Sequence, residues 1–241
     1  MLGFSGHAAG GWAADSRDLV SEKYDIALFI EEHSGAPLYQ EKLKGLQGRY
    51  CAVRRSCADG SCFYRGLGFG FLESLVGKPQ ELLRFRERVK RSRHQLLAAG
   101  VPEHGFSRPY DTFLSLVDVA ESDVSECNLL RAFNHPEVSD RAVQYLRLVT
   151  SAFLRSRGDF YQPFIEEEKG IEEYCAQNVE PMSAVCDHIQ ITAVTQELDI
   201  PLLVEYVDST DSAVNQHIFP EGSSPHVYML YKQNHYTLLY K

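Results

Sequence analysis

The stretch from Cys62 to Gly77 constrains the fold more than any other. Phe63, Leu67, Phe71 and Leu75 recur at four-residue spacing, which is a helical stripe ending at Gly77. Into the same helix the segment "CFYRGLGFGF" places Gly66, Gly68 and Gly70. Each glycine costs about 1 kcal/mol relative to alanine inside a helix. A helix carrying three must recover that elsewhere, and close packing against another element is the simplest means. The glycines do not form a cofactor loop. A dinucleotide fingerprint needs G-x-G-x-x-G between a strand and a helix, whereas these are spaced by two and follow the start of the helix. "VGKP" also fails as a P-loop, since Pro79 stands where Ser or Thr would hold magnesium.

Other elements gather around this helix. "LVSEKYDIALFIEE" reads as an opening helix with Ser21 as N-cap. After Pro79, "QELLRFRERVKRSRHQLLAAG" reads as a charged amphipathic helix stopped by Gly100. "SDRAVQYLRLVTSAFLRSR" shows the broadest apolar face, with Ser139 or Asp140 as its cap, and "DHIQITAVTQEL" is a last helix. The character changes near residue 187. "PLLVEYV", "HVYMLYK" and "HYTLLYK" are short, β-branched and aromatic, so a small sheet closes the chain, drawn most simply as an antiparallel meander. A long polar connection, 208–225, joins the first two strands, and connections of that length usually have a function or are mobile.

With 241 residues, 44% of them hydrophobic, the chain can bury the core of one soluble globular unit. Its net charge of -9 argues against nucleic-acid binding through bulk phosphate attraction. No run approaches the ~18 apolar residues of a membrane span, and a monomer is expected. The start, "MLGFSGHAAGGWAADSRD", has no basic, apolar signal pattern, so residues 1–20 are expected to form a disordered leader before a single domain over 21–241. Six cysteines, at 51, 57, 62, 127, 175 and 186, form no C-x-x-C pair. Zinc is not expected, and the thiols read as reduced in a cytoplasmic or nuclear protein, five of them as small buried hydrophobes.

Cys62 is the exception. A thiol at a helix N-terminus feels the positive end of the macrodipole, and free backbone N–H groups there can stabilise a thiolate and a developing oxyanion. Asp59-Gly60 suits a tight turn that aims those groups inward. A cysteine hydrolase also needs a histidine. His7, His33, His94, His104 and His135 lie in polar or loop-like stretches, and His226 begins a strand. His188 reads as a capping or core residue, and His217 lies in the long connection. His235 opens the last strand after a tight turn, and alternation puts Thr237 on its face of the sheet.

"DGSCFYR" with a terminal "HYTLLYK" resembles the otubains, cysteine deubiquitinases of the ovarian-tumour class. "SEKYDI", "LESLVGK", "RFRERV", "QYLRLVTSAF", "VEPM", "CDHIQITA", "VEYVD", "HIFPEG" and "VYMLYK" continue the resemblance in order from about residue 20. The short leader is most like the shorter of the two paralogues. The resemblance implies an α+β, papain-like fold, with helices packed around a small, mostly antiparallel central sheet. It implies hydrolysis of isopeptide bonds to ubiquitin and polyubiquitin through a thioester, without metal or cofactor. Cys62 matches the nucleophile, His235 the general base and Asp59 an acidic residue of the active site. One position departs: Thr237 stands where otubains have Asn or Asp, leaving a shorter, uncharged hydroxyl to orient His235. The same resemblance permits a weakly active module that binds ubiquitin or conjugating enzymes.

Overall fold

The glycine-bearing helix is where the two main layers meet. The computed structural model describes residues 18–123, 127–165, 170–208 and 214–241; most of the expected leader lies outside them. Helix α3 (Cys62–Leu75) forms as its stripe predicts and is buried almost throughout. A Cβ at Gly70 would stand 2.7 Å from Leu238 Cδ2, one at Gly66 3.2 Å from Met229 Cε, and one at Gly68 3.1 Å from Leu146 Cδ1. Leu238 and Met229 belong to the sheet and Leu146 to a neighbouring helix, so α3 is squeezed from two sides. That close approach offsets the helix-propensity cost.

The sheet has six strands: β1 (Tyr24–Asp25), β2 (Ala52–Arg55), β3 (Leu202–Tyr206), β4 (Asn215–Phe219), β5 (Val227–Lys232) and β6 (His235–Tyr240). Their order is β1-β2-β6-β5-β3-β4. All neighbours are antiparallel except β3 and β5, which run parallel. One face packs on α3 and, behind it, α4 (Pro79–Ala98), α5 (Glu103–Ser122), α6 (Cys127–Phe133), α7 (Pro136–Ser156) and, beyond α8 (Gly158–Tyr161) and α9 (Ile171–Tyr174), α10 (His188–Leu198). The other face is covered by α1 (Ile26–Glu31) and α2 (Pro37–Lys44), whose Phe29, Ile30 and Leu43 pack on Val53, Leu230 and Leu239. This is the α+β architecture the resemblance implies.

Several expectations are corrected. Ser21 does not cap the first helix: Leu19, Val20 and Ser21 run alongside β2, and Asp25 is the cap, accepting from the Ala27 N–H at 2.6 Å. Pro136 starts α7 earlier than Ser139 or Asp140, since proline suits a first turn. The 20-residue α5 has no clear helical signature in the sequence, because Gly105 and Pro109 interrupt its pattern; burial of Phe106, Tyr110, Phe113, Leu116 and Val117 overrides them. His94 and His104 are helical, and His33 is buried with Nδ1 2.7 Å from the Phe29 carbonyl. Cys51 and Cys127 are exposed, not core.

The meander is also replaced. The connection 208–225 contains the edge strand β4, and this return trip makes β3 and β5 parallel. Tyr206 stands opposite Tyr231, and Lys232 opposite His235. Asp208 therefore lies at the same end of the sheet as His235, while Glu221 lies at the other end; Asp211 is outside the described residues.

Candidate active site

Cys62 begins α3, so its N–H and that of Phe63 lack intrahelical acceptors and point toward the start of the helix. The preceding turn is held on every side. Gly60 has φ +83°, and a Cβ there would lie 2.4 Å from the Ser183 carbonyl oxygen, so only glycine fits. Asp59 Oδ1 accepts from the Ser61 N–H at 2.9 Å, and its Oδ2 accepts from Arg65 at 2.5 Å. Arg65, fully buried one turn into α3, also reaches Asp140 at 3.3 Å. Ser61 Oγ donates to the Met182 carbonyl at 2.6 Å. The Ser61 N–H is thus occupied. Among the described residues no backbone or side-chain oxygen accepts from the N–H groups of Gly60 and Cys62, which leaves these two able to donate to a bound oxyanion.

The other wall is the start of β6. Gln233 and Asn234 both have positive φ, as a two-residue hairpin turn requires, and they deliver His235 as the first residue of the strand. Cys62 Sγ lies 3.9 Å from the Asn234 carbonyl oxygen and against the Tyr236 N–H, so the thiol touches both chain neighbours of His235. Asp59 is within electrostatic range of both Cys62 and His235. Asp59, Cys62 and His235 come together across 176 positions of sequence.

Thr237 does not join them through a hydrogen bond. It is buried opposite Arg55 of β2 and Leu230 of β5, and His235 Nδ1 is buried without a hydrogen-bond partner among the described residues. A helix-terminal, histidine-paired thiol is expected to have a depressed pKa. Here burial pushes the Cys62 thiol up instead, outweighing the N–H groups of Tyr236, Phe63 and Cys62 itself that pull it down. Burial, aided by the Arg55 guanidinium, holds His235 below its usual value against the opposing pull of Asp59. Both groups are driven toward their neutral forms. Burial thus favours the thiol at Cys62 and the neutral imidazole at His235.

The model of the otubain family, peptidase C65, matches residues 13–241. The chain belongs to the otubain family. This otubain is 49% identical over 225 residues to ubiquitin thioesterase OTUB2 of Mus musculus, covering 93% of this chain and 96% of that one. To ubiquitin thioesterase OTUB1 of Homo sapiens it is 40% identical, covering 92% and 83%. Identity is thus higher to OTUB2 than to OTUB1. Among solved structures, OTUB1 in the complex h/ceOTUB1–ubiquitin aldehyde–UBC13~Ub superposes with a TM-score of 0.86 at 26% identity, over 93% of this chain and 91% of that one.

Around Asp59, Cys62 and His235 stand four further groups without a local signature as site residues: Arg65, Asn234, the Tyr236 N–H and Arg147, whose Nη2 donates to the Gly60 carbonyl at 3.0 Å. A signal for Arg147 exists, because it lies within the apolar face formed by Val143, Leu146 and Thr150 on α7. A charged residue at a core position of a helix needs a reason.

Proposed function

We propose that this protein is a cysteine-dependent deubiquitinase that hydrolyses the isopeptide bond between the C-terminal glycine of ubiquitin and a lysine. The observation that carries it is the placing of Cys62 Sγ at the start of α3 against both neighbours of His235, in a chain of a family whose named relatives are ubiquitin thioesterases. His235, whose neutral form burial favours, accepts the Cys62 proton as the sulfur attacks the glycine carbonyl. The N–H groups of Gly60 and Cys62 hold the oxyanion, and the imidazolium returns the proton to the leaving lysine amine. Water, activated by His235, then cleaves the thioester and frees Cys62. Asp59 acts one step back, by fixing the turn. We place the protein, a single catalytic domain from about residue 21, in the cytoplasm or nucleus, where thiols stay reduced, with ubiquitin chains and possible conjugating enzymes as partners.

A second reading is supported by the unpartnered His235 Nδ1 and the upward-shifted Cys62: a module that binds ubiquitin and turns over slowly. A ubiquitin derivative with a C-terminal electrophile separates the two. Stoichiometric labelling of Cys62 together with release of a fluorophore from a ubiquitin C-terminal amide supports the hydrolase. Binding of ubiquitin without labelling or turnover would leave only the module.

A further inference from the structure

Arg147 is a buried cation that the proposed chemistry has not used. Its side chain is fully buried in the middle of α7, yet among the described residues no carboxylate pairs with it. Removing a guanidinium from water without a counter-charge costs several kcal/mol unless its donors are met. Main-chain oxygens meet its Nη donors, while Nε is buried without a hydrogen-bond partner among the described residues. Nη1 donates to the Val179 carbonyl at 2.9 Å, while Nη2 reaches the carbonyls of Gly60 at 3.0 Å, Met182 at 3.0 Å and Ala184 at 2.8 Å, and Ser61 Oγ at 3.4 Å. The guanidinium also stands over the Tyr64 ring, 4.6 Å from its centre.

The Gly60 contact has a specific consequence. The Gly60 carbonyl and the Ser61 N–H belong to one planar peptide unit and point in opposite directions. Arg147 holds the carbonyl end and Asp59 holds the N–H end. The peptide plane before the nucleophile is pinned from both sides. Its orientation sets where the flanking Gly60 and Cys62 N–H groups point. Arg147 also draws the 179–184 segment against the turn, where the Ser183 carbonyl closes on Gly60.

We propose that Arg147 is a positioning residue for the hydrolysis: it clamps the Gly60–Ser61 peptide so that the N–H groups flanking it are preset, and it sets a buried positive charge, paired with no carboxylate among the described residues, against the turn. The Cys62 sulfur lies within the electrostatic range of that charge. Arg147 therefore favours negative charge in the site without touching substrate. The inference rests on the hydrolase reading for its kinetic arm only.

Two variants separate clamp from charge. Arg147→Lys keeps the charge but cannot span carbonyls on opposite sides; Arg147→Gln keeps neither charge nor fork. Each is compared with wild type by thermal melting, by hydrolysis of a ubiquitin C-terminal fluorogenic amide, and by the rate at which Cys62 is alkylated by iodoacetamide at pH 8. With both variants folded, kcat should fall at least ~10-fold with KM within about three-fold, the pattern of a contribution made in the transition state. Alkylation should stay within about two-fold of wild type in Arg147→Lys and fall at least ~five-fold in Arg147→Gln, because only the second loses the charge that favours the thiolate. Wild-type kcat in either folded variant, or wild-type alkylation in Arg147→Gln, overturns the proposal. If neither variant folds, Ser61→Ala serves, since it removes the hydroxyl between Arg147 and the Met182 carbonyl: a lower kcat at constant KM supports the clamp and an unchanged kcat overturns it. Alkylation needs no ubiquitin. A wild-type protein that fails to hydrolyse the amide would thus count against the hydrolase reading, while the alkylation comparison still decides the charge.

Discussion

At Cys62 two opposing effects meet, and burial wins over the helix terminus. The sulfur is buried beside the Asn234 carbonyl, which accepts from a thiol and repels a thiolate. The shifts have definite signs. His235, lowered from 6.5, stays neutral and able to accept a proton at pH values where an ordinary histidine is already charged. The acid limb of kcat/KM should therefore fall below pH 6.5, and iodoacetamide alkylation of Cys62 in the free protein should still be rising at pH 9. A flat alkylation rate from pH 5 upward would instead reveal a preformed thiolate. Cys62→Ala should abolish turnover with ubiquitin binding retained, whereas Cys51→Ser should leave turnover intact; the reverse pattern would assign the nucleophile elsewhere. Thr237 changes meaning in the structure. The sequence argument has its hydroxyl orienting His235, so that Thr237→Val should lower activity, but no hydrogen bond joins them among the described residues. Thr237→Val should now leave kcat/KM within about two-fold, and Thr237→Asn should raise it by offering the buried Nδ1 an acceptor. Equal rates in all three forms would mean that neither side chain reaches the ring.

At the scale of elements, α3 carries the argument from glycine to site. Its seat between Leu238 of β6 and Leu146 of α7 brings Cys62 up to the start of β6. Gly70→Ala should gain ~1 kcal/mol in helix propensity and lose more, about 1–3 kcal/mol, by driving a Cβ into Leu238, so urea melts should show net destabilisation. An unchanged or higher midpoint would show that Leu238 can turn aside. What was legible follows the same logic. Three strands and the helices α3, α4, α7 and α10 were readable because periodicity and end signals agree in them. Helix α5 was not, because Gly105 and Pro109 contradict a pattern that only tertiary burial upholds. The two-residue β1 and the exposed β4 carry too little apolar alternation to mark a strand. Within the site, Cys62 and His235 each have a local signature, whereas the clamp on Gly60 comes from Arg147, 87 residues away, and no spacing rule connects them.

At the scale of the molecule, the sheet topology decides which end a large substrate covers. A ubiquitin attached through its C-terminal glycine to Cys62 must overhang the end of the sheet where β6 begins, since Cys62 Sγ touches Asn234 and Tyr236 there. The parallel pairing of β3 with β5 brings the chain leaving β3 to that same end, with Asp208 paired to Lys42 of α2 at 2.8 Å. The turn after β4, with Glu221, lies at the opposite end, a strand length of roughly 20 Å away. A plain meander would send the whole connection away from His235 and give its charges one common role. The observed topology splits it. Reversing the charge with Asp208→Lys should therefore change KM for a ubiquitin substrate and its dependence on salt, with kcat nearly constant, because a half-exposed charge at a docking face, even one paired to Lys42, acts on association and is screened by ions. Glu221→Lys should leave both constants unchanged. If Glu221→Lys alters KM while Asp208→Lys does not, ubiquitin spans the far end of the sheet, and the chain leaving β3 takes no part in holding it.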